Sequence, residues 1–202
     1  SFANPKIIRE VRLPRYEPAT VLFYSVTGCH PMWRRSLFGK MGLFYPRYPS
    51  VGDYEFLLRF VRAGRCAVHV PEVLSLFCEN QQGIQFKTAT RNYLQFENVR
   101  DQYRAVMPIE RVFEVDLEDK ASMALAWVGL GNMAMEHDIP WFDEPRSDFD
   151  FAEYCYEAAL KLDSGNEAAL RNLLALKSRF GKKYGNDALF ANIPSATARS
   201  ST

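Results

Sequence analysis

The feature that most constrains this chain is a change of character near residue 110. Before it, proline and glycine cut the sequence into short apolar pieces. After it, long Ala- and Leu-rich stretches run at helical spacing. Residues 6–13 (KIIREVRL) and 21–27 (VLFYSVT) carry the β-branched and aromatic residues of strands. Pro14 and Pro18 confine the stretch between them to a loop. Trp33, Leu37 and Met41 recur at i, i+4 and i+8, which predicts a helix from Pro31 that stops at Gly42. A second helix is expected from Asp53 to Ala63, with Phe56, Leu57, Phe60 and Val61 as its apolar stripe and Gly64 as its end. Cys66–Phe77 reads as one or two strands around Pro71, and Ile84–Met107 as a long polar helix.

Downstream, the pattern predicts helices over 116–136, 149–162 and 166–180. The tail from 191 is small and polar, and is expected to be flexible. Strands mixed with helices, then helices alone, predict an α/β part joined to an α-helical part. The expected divisions are 1–110, 111–190 and 191–202.

Hydrophobic residues make up 48% of the 202, enough for a sizeable core. The 25 basic and 24 acidic side chains leave a net charge of +1. That balance supplies no whole-domain field for nucleic acid or anionic lipid. No apolar run approaches the ~20 residues of a membrane helix. Four cysteines at 29, 66, 78 and 155 form no CxxC pair. They read as free thiols of a reducing, cytoplasmic setting. The start lacks Met and the layout of a signal peptide, and reads as that of a fragment.

The chemistry-bearing residues cluster between Gly28 and Gly64. Asp53 stands at a Gly-Asp turn before a helix, where a carboxylate within reach of a docked hydroxyl can act as general base. It also completes Ser50-Val51-Gly52-Asp53, a capping-box pattern, so a purely structural role is open. Glu55 reads as a solvated first-turn acid. Upstream, Gly28 allows close backbone approach to a ligand. Trp33 suits either a stack on a sugar face or a core anchor. Arg34 and Arg35 suit either a phosphate or solvent. His30 is a possible acid/base or hydrogen-bonding group. No two histidines are spaced as metal ligands, and Asp148-Phe149-Asp150 reads as a helix cap rather than a metal site.

With those residues in view, the segment resembles the acceptor-side half of inverting family 2 glycosyltransferases of the GT-A fold. The resemblance rests on HPMWRRSLFGKMGLF (30–44), SVGDYEFLLR (50–59), VPEVL (70–74) and ENQQGI (79–84), in order and at family spacing. It covers roughly residues 20–90. It implies transfer of a sugar from a nucleotide-sugar donor to an acceptor hydroxyl with inversion, Asp53 being the general base. Gly28, His30, Trp33 and Arg34 would line the acceptor side. It also implies a Mg or Mn ion and a donor-binding half in a full-length parent; about twenty residues precede the matched region, which leaves no room for that half. Leu57 stands where the family commonly has Trp. The fragment alone is therefore expected to be inactive and to hold no cofactor.

Residues 121–180 resemble a tetratricopeptide repeat through Trp127, Leu130, Gly131, Ala152, Tyr156 and Ala159. A generic helical hairpin is the other reading. Either version could bind a protein partner, so a non-catalytic interaction module stands beside the enzyme reading.

Overall fold

The computed structural model describes residues 10–27, 30–77, 82–83, 89–136 and 147–180. These hold seven α-helices and one 3-10 turn: α1 (Pro18–Val21), α2 (Arg35–Met41), α3 (Gly52–Arg62), α4 (Ala89–Arg104), the 3-10 turn Ile109–Arg111, α5 (Lys120–Met135), α6 (Phe149–Leu162) and α7 (Glu167–Phe180). Among the described residues there is no β-strand.

This overturns the expected α/β part. Pro18 occupies the first turn of α1, and the chain then bends through residues 22–27. Val21, Leu22, Phe23, Tyr24 and Val26 are buried there as a compact apolar knot. Residues 10–13 are irregular, and 1–9 lie outside the described residues. Residues 66–77 form no ladder, and Val68, Leu74 and Leu76 point to solvent, Val68 at 91% exposure. β-Propensity expresses fit to a pleated, half-buried surface. With no neighbouring strand among the described residues to pair, that preference has nothing to act on.

Helix α3 is the centre of the first part. Phe56, Leu57 and Leu58 are fully buried, and so is Glu55. The expected one-sided stripe is thus too narrow: the helix is enclosed on most faces. Tyr54 stacks on Phe96 of α4 at 4.3 Å, and its hydroxyl donates to Val21 O at 2.9 Å. Trp33 leans edge-on against Phe56 and Phe60 at 4.9 and 5.5 Å. Gly42 and Gly64 end α2 and α3 with φ of +80° and +63°. Side chains other than glycine rarely adopt that region, which explains both stops.

The second part is a stack of three helices. The start of α6 is hooked to the end of α5: Asp148 N–H donates to Ala134 O at 2.7 Å, and Ser147 Oγ to Met135 O at 2.6 Å. The two helices therefore form an antiparallel hairpin. Leu130, Ala152, Tyr156 and Ala159 are buried between them, with Trp127 half-buried beside Tyr154. A Cβ on Gly131 would stand 2.6 Å from Tyr156 Cε1, so only glycine permits this approach. Lys177 of α7 pairs with Glu153 of α6 at 3.2 Å.

Arg104, at the end of α4, joins the two parts. Its Nε donates to Leu22 O at 2.8 Å, and Nη1 pairs with Asp148 Oδ2 at 2.5 Å. The guanidinium also lies over Phe151 at 3.9 Å and Phe23 at 5.0 Å. Its Nη2 is buried without a hydrogen-bond partner among the described residues.

Candidate functional site

The site is built on the first turn of α3. Val51 is the N-cap, and no side chain caps it. The capping box that the sequence suggests is therefore not formed, and Ser50 N–H donates instead to Gln95 Oε1 at 3.3 Å. Asp53 is half-buried, and its Oδ1 accepts the N–H of Tyr54 at 2.8 Å. Among the described residues no cation and no side-chain donor reaches its carboxylate. Burial pushes the Asp53 carboxyl above the ordinary carboxylate value, and the backbone N–H groups of Tyr54 and Asp53 only partly offset this.

Glu55, two residues on, is treated in the opposite way. It is fully buried rather than solvated, which corrects the sequence expectation. Arg59 Nε lies 2.9 Å from Oε1 and 3.0 Å from Oε2, and Tyr103 OH donates to Oε1 at 2.6 Å. Burial and this bond to Glu55 raise the Tyr103 phenol well above its ordinary value, so it stays a donor. Arg59 also donates to Met41 O and, at 2.8 Å, to Leu43 O. One guanidinium thereby fastens the loop after α2 to α3. Arg59 and Tyr103 were invisible as site residues in the sequence. The only signal was the i, i+4 spacing of Glu55 and Arg59.

The other expected site residues are scattered. Trp33 reaches α3, but as a half-buried ring wedged on Phe56 and Phe60. Arg34 is exposed at the N-cap of α2. His30 Nδ1 and Ser75 Oγ share a hydrogen bond of 3.1 Å, which ties His30 to the 66–77 segment rather than to Asp53. Gly28 lies outside the described residues. Asp148 caps α6 through Phe151 N–H at 3.2 Å, and Asp150 sits in the first turn. Among the described residues, no group of three or more His, Cys, Asp or Glu side chains is gathered that could hold a metal ion. No described helix is long and apolar enough to cross a membrane.

Compared with protein-family models, curated proteins and solved structures, the chain has no match. The likeness to family 2 glycosyltransferases therefore rests on the four phrases alone.

Proposed function

We propose that this chain supplies the acceptor side of an inverting glycosyltransferase, with Asp53 as general base. One observation carries the reading. Of the acids on α3 and α4 and the α6 cap that meets them, Glu55, Glu97, Asp101 and Asp148 pair with arginines, and Asp53 is desolvated with no cation among the described residues. A carboxyl so placed has a strengthened affinity for a proton, which suits it to take one from an acceptor hydroxyl. The freed oxygen would attack the anomeric carbon of a nucleotide sugar, and the bond from that carbon to the diphosphate would break on the opposite face.

The Mg or Mn ion that the resemblance implies does not fit the described residues. Their one Asp-x-Asp is committed, since Asp148 caps α6 and pairs with Arg104. No step through a metal is assigned to this chain, and donor binding would fall to a full-length parent. The free thiols Cys66 and Cys155 suit a cytoplasmic setting.

A second reading makes 111–190 a tetratricopeptide-like module for a protein partner. The glycine-on-tyrosine fit at Gly131 and Tyr156 favours it, because repeats of that kind use small residues to bring helices together. The two readings are compatible within one protein.

The test is Asp53→Asn in the full-length gene product. Turnover should fall ~10²–10⁴-fold while nucleotide-sugar affinity stays unchanged. Asn keeps an oxygen that can accept the Tyr54 N–H, so folding should be preserved. Near-normal turnover would end the assignment.

A further inference from the structure

Several aromatic rings crowd the helix that Asp53 opens, and their surroundings sort them. Trp33 leans on Phe56 and Phe60. Phe38 is half-buried, with its ring 5.3 Å from that of Phe56. The Tyr45 ring, 38% exposed, already carries the guanidinium groups of Arg59 at 4.2 Å and Arg47 at 5.2 Å. Phe44 differs. Its ring meets Phe38 and Phe56 at 5.9 and 5.1 Å, yet 44% of its surface is open. Its Cβ stands 3.9 Å from where a Cβ on Gly52 would be, beside the backbone of the residue before Asp53. The bonds from Arg59 to Met41 O and Leu43 O hold the loop that carries it.

We propose that Phe44 is the platform on which a pyranose ring of the acceptor lies, with its rim hydroxyls turned toward Asp53. The inference rests on the glycosyltransferase reading and deepens it. A pyranose has an apolar face of C–H groups and an edge of hydroxyls. It therefore needs a flat apolar surface and a nearby acceptor of hydrogen bonds, a combination typical of small-ligand sites. Phe44 offers the first, already immobilised and open to solvent. Asp53 offers the second, with no cation among the described residues competing for it. Trp33, which the sequence offered either as a sugar stack or as a core anchor, is committed to the packing of α3.

The experiment uses the 202-residue chain. Ring signals of Phe44, identified by their loss in Phe44→Leu, are followed by NMR during titration with the methyl β-glycosides of glucose, galactose, mannose, N-acetylglucosamine and rhamnose. Uridine monophosphate serves as the competing occupant. At least one glycoside should shift the Phe44 signals saturably. Followed through the ligand's own signals, Phe44→Leu should weaken that glycoside about 3- to 10-fold. Phe44→Trp should retain binding. If no glycoside moves Phe44 at tens of millimolar, if only the nucleotide does, or if Phe44→Leu binds as well as the parent, the platform is overturned. The two readings fail separately. A platform with normal turnover in Asp53→Asn removes the base and keeps Phe44. Loss of turnover in Asp53→Asn with no glycoside on Phe44 does the reverse.

Discussion

The starts of α3 and α6 pose the same problem and solve it differently. Each carries a partly buried aspartate whose oxygen accepts a first-turn backbone N–H. At α6, burial alone would raise the Asp148 carboxyl. The charge and hydrogen bond of Arg104, the Phe151 N–H and the charge of Arg100 outweigh that and hold it below the ordinary value. At α3, burial acts on Asp53 with only backbone N–H groups against it, and the carboxyl rises. Helix α4 makes the difference, since Arg100 and Arg104 both reach Asp148 and neither reaches Asp53. An acid matched with arginines is part of the scaffold. An acid left without them keeps its affinity for a proton, which is what base catalysis draws on.

The comparison breaks first on turnover. In the full-length gene product, Asp53→Asn should remove most activity, a ~10²–10⁴-fold loss equal to about 3–5 kcal/mol of barrier. Asp148→Asn should leave turnover per folded molecule unchanged. Equal losses in both would erase the distinction between catalytic and structural acid.

Stability is the next axis. Arg104→Ala leaves Asp148 without its main partner and takes a cation from between Phe23 and Phe151. Denaturant melts should show a loss of about 3 kcal/mol, the low end for a broken buried pair, because Asp148 keeps some exposure. A loss under about 1 kcal/mol would mean that the two parts are not joined through this residue. Gly131→Ala should cost less. Overpacking against Tyr156 costs about 1–3 kcal/mol, and the better helix propensity of Ala returns about 1, leaving a net loss near 1 kcal/mol. Trimming the ring in Gly131→Ala/Tyr156→Leu should recover part of it relative to Tyr156→Leu alone. A neutral or stabilising Gly131→Ala would contradict the close approach of α5 and α6.

The helices were legible where their cause is local. The spacing over 149–162 and 166–180 gave α6 and α7 to within a residue, and 116–136 contains α5. Each depends on neighbours three and four positions away, which sequence displays directly. The strands expected at 21–27 and 66–77 did not form, because a strand depends on a partner far along the chain. The same distance explains the misreading of Glu55. Its partner Tyr103 lies 48 positions away, and only the fold brings them together. Asp53 stood out through its place before a helix. The absence, among the described residues, of a cation around it, on which the functional reading turns, needed the arrangement of α4.

Opposite pKa shifts require opposite pH dependence. For Asp53, with its folded value raised, the contribution to stability is present below the unfolded value and is lost as pH rises through the folded one. For Asp148, with its folded value depressed, the contribution is present above the unfolded value and is lost as pH falls through the folded one. Asp148→Asn should therefore flatten the acid side of the stability curve, and Asp53→Asn should relieve a small cost near neutral pH. The most direct measurement is an NMR titration of the two side-chain carboxyl carbons in the same chain, each assigned by its Asn variant. The account predicts Asp53 titrating above the ordinary aspartate value and Asp148 below it. Asp53 titrating at or below Asp148 would contradict it.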